Sequence, residues 1–361
     1  LLASIGLVGA VVIQGVHADR LCSPHFDEAV HLLPVAQAVS DLRHLDLVSF
    51  FRHSYEQNTI AQYPFFHSWL LSPFFLLLPF DLTTGRAANI VLVCMSVLVA
   101  FFLAGELSPW THLRWLAETI GAGMVLSALP VWVYGSRGYL EPAGLLVTLL
   151  ALFCYVKAAP EHNRRLWAVC SSLLVAAGFF TQYSFGLFIL GGMILSEGLG
   201  WIVARRGSAG RWLCLFGPCA ALILLWLASP GKLAGFWAYS RAQDPNMELW
   251  SVESLTYYPR SIARIYATTL LPLGLMLVGI GYSAYRIRTH RYRAPLSYLM
   301  VSLVIVTLVP QKSHRFVYTI APVALLLGGV GAAWTAARLS GALRPPFLRY
   351  SVTIMALLLL C

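Results

Sequence analysis

The chain has 361 residues, of which 58% are hydrophobic and only 11% are charged, and its mean hydropathy is +0.72. This composition excludes a soluble globular domain, because long apolar stretches match the thickness of a bilayer core. The stretches are continuous rather than alternating, which predicts an all-α polytopic membrane protein instead of a barrel. The net charge of +10 does not indicate nucleic-acid binding, because the basic residues form short clusters between apolar segments.

About eleven apolar segments are candidate membrane helices. In chain order they are residues 1–16, 86–105, 116–134, 141–158, 167–182, 184–204, 212–229, 264–285, 295–309, 316–337 and 350–361. The chain begins with Leu1 and ends inside the last apolar segment. We therefore expect residues 1–361 to form a single transmembrane domain that lacks a short N-terminus and at least one C-terminal helix.

Four basic clusters predict the orientation of these helices. Two candidate spans separate each cluster from the next, so all four clusters lie on one side, which the positive-inside rule makes cytoplasmic. The clusters are Lys157 with Arg164 and Arg165; Arg205, Arg206 and Arg211; Arg286, Arg288, Arg291 and Arg293; and Arg338, Arg344 and Arg349.

The apolar stretch at residues 63–80 is interrupted by three prolines, so we interpret it as a helix that lies at or dips into the interface. Residues 17–85 then form a first outer loop with interfacial helices. Residues 135–141, 230–263 and 310–315 also fall on the outer face. Most of the acidic residues collect on that face, which the positive-inside rule did not assume.

The first outer loop carries an acidic pair, Asp27 and Glu28, directly after the first apolar segment. Acidic residues at the start of a helix offset its macrodipole, so helix capping is the alternative interpretation. Capping would require neither the neighbouring His25 nor a position just after a membrane helix. We therefore interpret the pair as the reactive end of a membrane enzyme.

Two further outer segments carry candidate functional groups. Glu141 stands at a membrane boundary, where an ionisable group is a functional candidate, although simple capping is again the alternative. Lys312, His314 and Arg315 form a cationic cluster on the face where the positive-inside rule disfavours cations. A guanidinium can bind a phosphate through two hydrogen bonds, with lipid-headgroup anchoring as the alternative role. Together these groups suit transfer from a lipid-linked phosphate donor, since a carboxylate can deprotonate a hydroxyl while cations stabilise the departing phosphate.

In order and sidedness, these segments resemble the GT-C fold glycosyltransferases that use polyprenyl-phosphate sugars. The family includes the dolichyl-phosphate-mannose mannosyltransferases, the protein O-mannosyltransferases and the bacterial aminoarabinose transferase. His25-Phe26-Asp27-Glu28 is similar to the family's His-Pro-Asp-Glu motif, with Phe26 where Pro is usual. Glu141-Pro142 is similar to an acid followed by Pro in the second outer loop. Residues 311–316, Gln-Lys-Ser-His-Arg-Phe, resemble a late His-Lys-Glu-x-Arg-Phe sequence without its Glu.

The resemblance implies an inverting hexosyl or pentosyl transferase, similar to the mannosyltransferases, with a single displacement at the anomeric carbon. Asp27 would be the general base, and Glu28 and Glu141 would position the acceptor or the sugar. The remaining expected roles are donor phosphate binding by Arg315, His314, Lys312 and Arg137, and substrate binding by His25, His67 and Tyr63. No cofactor is implied, although the distant oligosaccharyltransferases hold a divalent metal between such acids.

The expected partners are a polyprenyl-phosphate-sugar donor, a lipid, glycan or protein acceptor, and membrane lipids. We expect an integral multi-pass protein, in a bacterial plasma membrane rather than the endoplasmic reticulum. The alternative is a transporter or flippase for a lipid-linked sugar, which would require charges near the bilayer midplane and discontinuous helices. A non-catalytic scaffold would leave the outer cationic cluster unexplained.

Overall fold

The computed structural model describes residues 6, 9, 26–56, 64–137, 139–159, 165–204, 209–241, 248, 250–267, 269–309 and 312–340. Within these ranges the secondary structure is helical and contains no strand, so the all-α prediction is confirmed. Continuous apolar runs produce this result, because a helix satisfies its backbone polar groups within one segment.

The first half of the described chain contains a group of shorter helices followed by long apolar ones. They are α1 (Phe26–Arg43), α2 (Leu47–Glu56), α3 (Phe66–Leu77), α4 (Leu82–Leu107), α5 (Arg114–Ser127), α6 (Leu129–Gly135), α7 (Glu141–Lys157) and α8 (Arg165–Thr181). Asp81 caps α4, since its carboxylate accepts a hydrogen bond of 2.7 Å from the Thr84 backbone N–H. Pro130 lies at the start of α6, and α5 and α6 meet at a bend of 57°.

The second half of the described chain contains further helices and two irregular turns. They are α9 (Tyr183–Ala204), α10 (Ala209–Leu227), α11 (Lys232–Arg241), α12 (Val252–Ser261), α13 (Leu270–Tyr285), α14 (His290–Leu308) and α15 (Ala321–Ser340). A π-helical turn, Ile262–Tyr266, follows α12 directly, and a 3-10 turn, His314–Val317, lies between α14 and α15. Both irregular turns lie in segments that the sequence assigned to, or next to, the outer face.

Four described helices are long and apolar enough to cross a membrane, namely α4, α9, α10 and α15, and the number rises to six if each bent helix pair counts as one span. The bent pairs are α5 with α6 and α13 with α14. These helices support a membrane protein, but they do not confirm the predicted total of about eleven spans. The predicted spans 1–16 and 350–361 lie outside the described residues.

Contacts between the helices define two ends of the bundle. The site end contains the start of α4, the start of α7 and the end of α14. The opposite end contains the other end of each of these helices. Glu106 and Lys157, near the ends of α4 and α7, form an ion pair of 2.6 Å at the opposite end. The helices α4 and α7 are therefore parallel to each other.

The helices α13 and α15 pack with their backbones in direct contact. A Cβ atom at Gly279 would collide with the Leu327 carbonyl, and one at Gly331 would collide with the Leu275 carbonyl. Small residues at such crossings are typical of membrane helices, where close packing replaces the hydrophobic effect as the main attraction.

A buried network ties four helices together at the opposite end. The Arg211 guanidinium donates to the Glu197 carboxylate, with a shortest distance of 2.8 Å, and the Tyr155 hydroxyl donates to the same carboxylate at 2.8 Å. His290 Nε2 donates to the Tyr155 carbonyl at 2.9 Å. Glu197 and Arg211 have side chains that are only 3% and 11% exposed. The network joins α7, α9, α10 and α14, so it fixes the bundle at the end remote from the candidate site.

Replacing Arg211 with Met should lower the free energy of unfolding by about 3–5 kcal/mol, because Glu197 would keep a buried charge without its counterion. The double variant Arg211→Met with Glu197→Leu should recover most of this loss. Thermal unfolding of the purified protein in detergent measures both effects. The control is Arg114→Met, whose ion pair is 45% exposed on the Arg114 side and should contribute less than about 1 kcal/mol. Equal losses for Arg114→Met and Arg211→Met would contradict the role of the network.

Candidate functional site

Glu141 and Arg315 form an ion pair at the site end of the bundle. Arg315 Nε donates to Glu141 Oε1 at 2.7 Å, although the two residues are 174 positions apart in the chain. The Glu141 side chain is 6% exposed and the Arg315 side chain 31% exposed. The pair therefore links a buried carboxylate to a partly exposed guanidinium, and it brings the second and third predicted outer segments into one place.

Tyr139 completes this contact. The Arg315 guanidinium lies over the Tyr139 ring, with 4.5 Å between Cζ and the ring centroid, so the aromatic face also attracts the cation. Glu141 is the first residue of α7, where the helix macrodipole favours a negative charge. Glu141 is therefore compatible with both interpretations, an acid that offsets the macrodipole at the start of a helix and a functional acid at the site.

Asn89 fixes the second outer segment against α4. Its amide Nδ2 donates to the Arg137 carbonyl at 2.6 Å and to the Tyr139 carbonyl at 2.9 Å. Asn89 is fully buried, about two turns after the start of α4. These two bonds hold the backbone just before Glu141, and they leave the Arg137 side chain exposed, with its Nη1 donating to the Tyr139 hydroxyl at 3.4 Å.

Glu28 is held by Arg86, a second residue at the start of α4. Arg86 Nε and Nη2 donate to the two Glu28 oxygens at 2.9 and 2.8 Å, and Glu28 is fully buried. A fork of two charge-assisted hydrogen bonds is a strong and geometrically specific contact. The helices α1 and α4 also approach closely, since a Cβ at Gly85 would lie 3.0 Å from a Leu32 methyl carbon. The acidic pair is therefore anchored to the same helix end that holds the second outer segment.

The catalytic role proposed for Asp27 rests on its position in the chain. Asp27 lies in the first turn of α1, next to the anchored Glu28, and its side chain lies outside the described part of the structure. His25 and Tyr63 also lie outside it, as does the side chain of His314. The roles of these residues and the acceptor-positioning role of Glu28 stay predictions.

His67 lies in the interior beside His31. The two rings meet edge to face with 6.1 Å between their centroids, and both residues are buried. The helix α3, which carries His67, is not one of the candidate spans. Burial and the neighbouring His31 lower the pKa of His67 to about 3, so its ring is neutral at physiological pH. A neutral imidazole suits hydrogen bonding to a substrate, which is the role that the sequence analysis gave it.

Lys312 caps the end of α14. Its Nζ donates to the Thr307 and Val309 carbonyls at 2.6 and 2.7 Å, and it lies 5.5 Å from the centroid of the Tyr258 ring. Burial lowers the pKa of Lys312. A lysine that binds the last carbonyls of a helix also compensates its macrodipole. This contact explains the buried position of Lys312, whereas its binding of a donor phosphate stays a prediction.

The π-helical turn Ile262–Tyr266 borders the site on a further side. It packs against α6 and α15, and Tyr266 at its end is buried. An open pocket of about 330 Å³ lies along α12 and this turn. The pocket is lined by Glu253, Tyr257, Arg260, Ser261, Arg264 and Ile265. The arginines at its rim, Arg260 and Arg264, are exposed.

The sequence analysis missed Arg86, Asn89 and Tyr266. Arg86 and Asn89 carried a usable signal, because polar side chains near the start of a largely apolar helix are expensive unless they have partners. Tyr266 carried no such signal, because a tyrosine near the end of an apolar segment is typical of interfacial anchoring.

No protein-family model matches the chain, and no curated protein matches it in sequence. The structure is similar to ArnT from Cupriavidus metallidurans bound to undecaprenyl phosphate, with a TM-score of 0.65 and 14% identity over 91% of this chain and 59% of that one. For the apo state of the same protein the TM-score is 0.61 and the identity 17%, over 91% and 58% of the two chains. An Archaeoglobus fulgidus oligosaccharyltransferase complex with Zn and sulfate gives a TM-score of 0.50 and 14% identity, over 82% and 43%.

These proteins are GT-C glycosyltransferases, so the resemblance inferred from the motifs is confirmed for the fold. The present chain spans about three fifths of the length of the ArnT chain, since it covers 59% of it.

The stability of the protein should depend on pH through His67. Its pKa is about 3 when folded and about 6.5 when unfolded, so its contribution is fully present above pH 6.5 and is lost as the pH falls toward 3. Between pH 7.5 and 5.5, the free energy of unfolding should fall by about 1 kcal/mol more for the wild-type protein than for the His67→Gln variant. Chemical unfolding in detergent measures this difference. Parallel pH profiles for the two proteins would show that His67 is not buried in its neutral form.

Proposed function

We propose that the chain forms the catalytic part of a membrane glycosyltransferase. It would transfer a hexose or pentose from a polyprenyl-phosphate donor to an acceptor hydroxyl on the outer face of the membrane. The observation that carries this proposal is the Glu141–Arg315 ion pair, which joins two distant segments beside the acidic helix α1 in a chain with the GT-C fold. The similar ArnT structure holds undecaprenyl phosphate, which supports a donor of this class.

Arg315 is the group that we propose to bind the donor phosphate. Its guanidinium is oriented by Glu141 on one side and by the Tyr139 ring on another, while its partly exposed side chain reaches the surface of the bundle. A guanidinium fixed in this way needs little reordering when it meets a phosphate. Arg260 and Arg264, at the rim of the open pocket, would add positive charge for the departing lipid phosphate. His314, Lys312 and Arg137 complete the proposed set.

Asp27 is the group that we propose as the general base. Glu28 and Arg86 neutralise each other next to it, so the anchor of α1 adds no net charge to the position of Asp27. The carboxylate of Asp27 would take the proton of the acceptor hydroxyl as that oxygen attacks the anomeric carbon. The bond from that carbon to the phosphate oxygen breaks in the same displacement, and the configuration inverts. Among the described residues, no group of three metal-ligating side chains could hold an ion.

A flippase for a lipid-linked sugar is the second candidate function. The observation that favours it is the 57° break between α5 and α6, because discontinuous helices are common in transporters. Two of the described ion pairs favour the enzyme, since they lie at the two ends of α7 rather than at its middle. A flippase would move the intact lipid-linked sugar across the bilayer without releasing free polyprenyl phosphate.

The test is transfer by the complete protein in proteoliposomes, with a panel of labelled polyprenyl-phosphate hexoses and pentoses. Asp27→Asn should lower kcat by at least about 100-fold, because it removes the proposed base and changes little in volume. The control is Asp46→Asn, which removes a negative charge from an exposed residue between α1 and α2 and should retain the wild-type rate.

An Asp27→Asn variant with the wild-type rate would contradict the assignment of the base. A wild-type protein that releases no carrier phosphate from any donor would contradict the transferase itself. If that protein moved the intact donor across the bilayer, the flippase would be the better description.

A further inference from the structure

Several buried polar atoms at the site end have no hydrogen-bond partner among the described residues, and two of them lie beside the Glu141–Arg315 pair and the π-helical turn. These two are Oε2 of Glu141 and the hydroxyl of Tyr266. Both residues are only 4% exposed. Burying a polar atom without a partner destabilises a protein, and such atoms in native structures call for an explanation. The other oxygen of Glu141 is already bound by Arg315, so only one side of this carboxylate lacks a partner.

The fold brings these two residues to the same region. Tyr266 ends the π-helical turn, which packs against α6, and α6 leads through a short loop to Glu141. The π-helix is rare and is frequently found at functional sites. Here the turn carries Arg264 at the open pocket and Tyr266 in the interior.

The protonation state of the phenol is set by its surroundings. Burial raises the pKa of Tyr266, and the nearby Tyr134 and Glu141 raise it further. Tyr266 therefore keeps its proton and can donate a hydrogen bond. The ionised Glu141 carboxylate can only accept one. The two unpartnered atoms thus offer one acceptor and one donor to the same region.

Tyr258 and Tyr318, two other buried tyrosines, do not share this property. The Tyr318 hydroxyl donates to the Val131 carbonyl at 2.8 Å. The Tyr258 hydroxyl is 3.5 Å from the Ser313 backbone N–H. Tyr266 therefore differs from Tyr258 and Tyr318 because its hydroxyl forms no hydrogen bond with the described residues. All three tyrosines are buried.

We propose that Glu141 and Tyr266 together bind one hydroxyl group of the transferred sugar and so help to select that sugar. The sugar hydroxyl would donate its proton to Oε2 of Glu141 and accept the hydrogen bond of the Tyr266 hydroxyl. An alcohol is both donor and acceptor, which matches this pair. A phosphate oxygen would be repelled by the carboxylate. This proposal rests on the proposed function, and it adds to it a residue that determines specificity.

The test uses Tyr266→Phe in the proteoliposome assay, with the best donor of the panel and with synthetic analogues that each lack one sugar hydroxyl. The variant should lower kcat/KM for the complete donor by about 10- to 100-fold, because a buried acceptor or donor left unpaired weakens binding. One deoxy donor should lose a similar factor with the wild-type protein. For that deoxy donor, Tyr266→Phe should lower kcat/KM little further, because the missing sugar hydroxyl and the missing Tyr266 hydroxyl remove the same hydrogen bond.

The matched control is Tyr292→Phe, which removes the hydroxyl of a fully buried tyrosine at the opposite end of the bundle. It should leave kcat/KM and the ranking of the deoxy donors unchanged. The melting temperature of Tyr266→Phe should equal or exceed that of the wild type, because the deleted hydroxyl has no partner among the described residues.

Two results would overturn the proposal while leaving the proposed function intact. One is a Tyr266→Phe variant that transfers the complete donor at the wild-type rate. The other is a loss of kcat/KM in Tyr266→Phe that multiplies with the loss caused by every deoxy donor. The Tyr266 hydroxyl would then bind a water molecule or another protein group instead of the sugar. A wild-type protein that transfers no sugar would instead remove the proposed function, and this proposal with it.

Discussion

The ion pair between Glu141 and Arg315 is the contact on which the candidate site depends. A carboxylate at the end of a membrane helix is expensive to bury without a counterion, so its partner must come from elsewhere in the chain. Arg315 meets it from 174 positions away, and the Tyr139 ring supports the guanidinium from the side. Because the described residues bind only one oxygen of the Glu141 carboxylate, the pair orients a charge for binding and keeps an acceptor atom available.

The first turns of α4 assemble the rest of the site around this pair. Arg86 holds Glu28 and thereby α1, while Asn89 holds the backbone that leads to Glu141. The opposite end is fixed independently by the network around Glu197 and Arg211. Both ends of the bundle are therefore held by buried contacts. Under the proposed function, the loops at the site end would recognise the donor and the acceptor.

The sequence predicted the all-helical fold correctly, because continuous apolar runs of membrane length form helices, whereas the total of about eleven spans is not confirmed. The predicted span 264–285 began too early, since the π-helical turn Ile262–Tyr266 precedes a helix that starts at Leu270. The sequence also identified Glu141 and Arg315 as candidates, because both are charged residues at a membrane boundary. It could not pair them, since pairing depends on how distant helices pack. For Lys312 the sequence showed a cation, whereas the structure shows that helix-end carbonyls compete for it.

The most direct test of this account is a double-mutant cycle of Glu141→Gln and Arg315→Gln, measured as kcat/KM for transfer from a polyprenyl-phosphate sugar. Each single change should lower kcat/KM by about 100-fold, because each leaves the other charge without its partner. The double variant should then have about the same kcat/KM as each single variant, which is the signature of residues that act as one unit. Losses that multiply in the double variant would show that Glu141 and Arg315 act independently, and the account of a single shared site would be wrong.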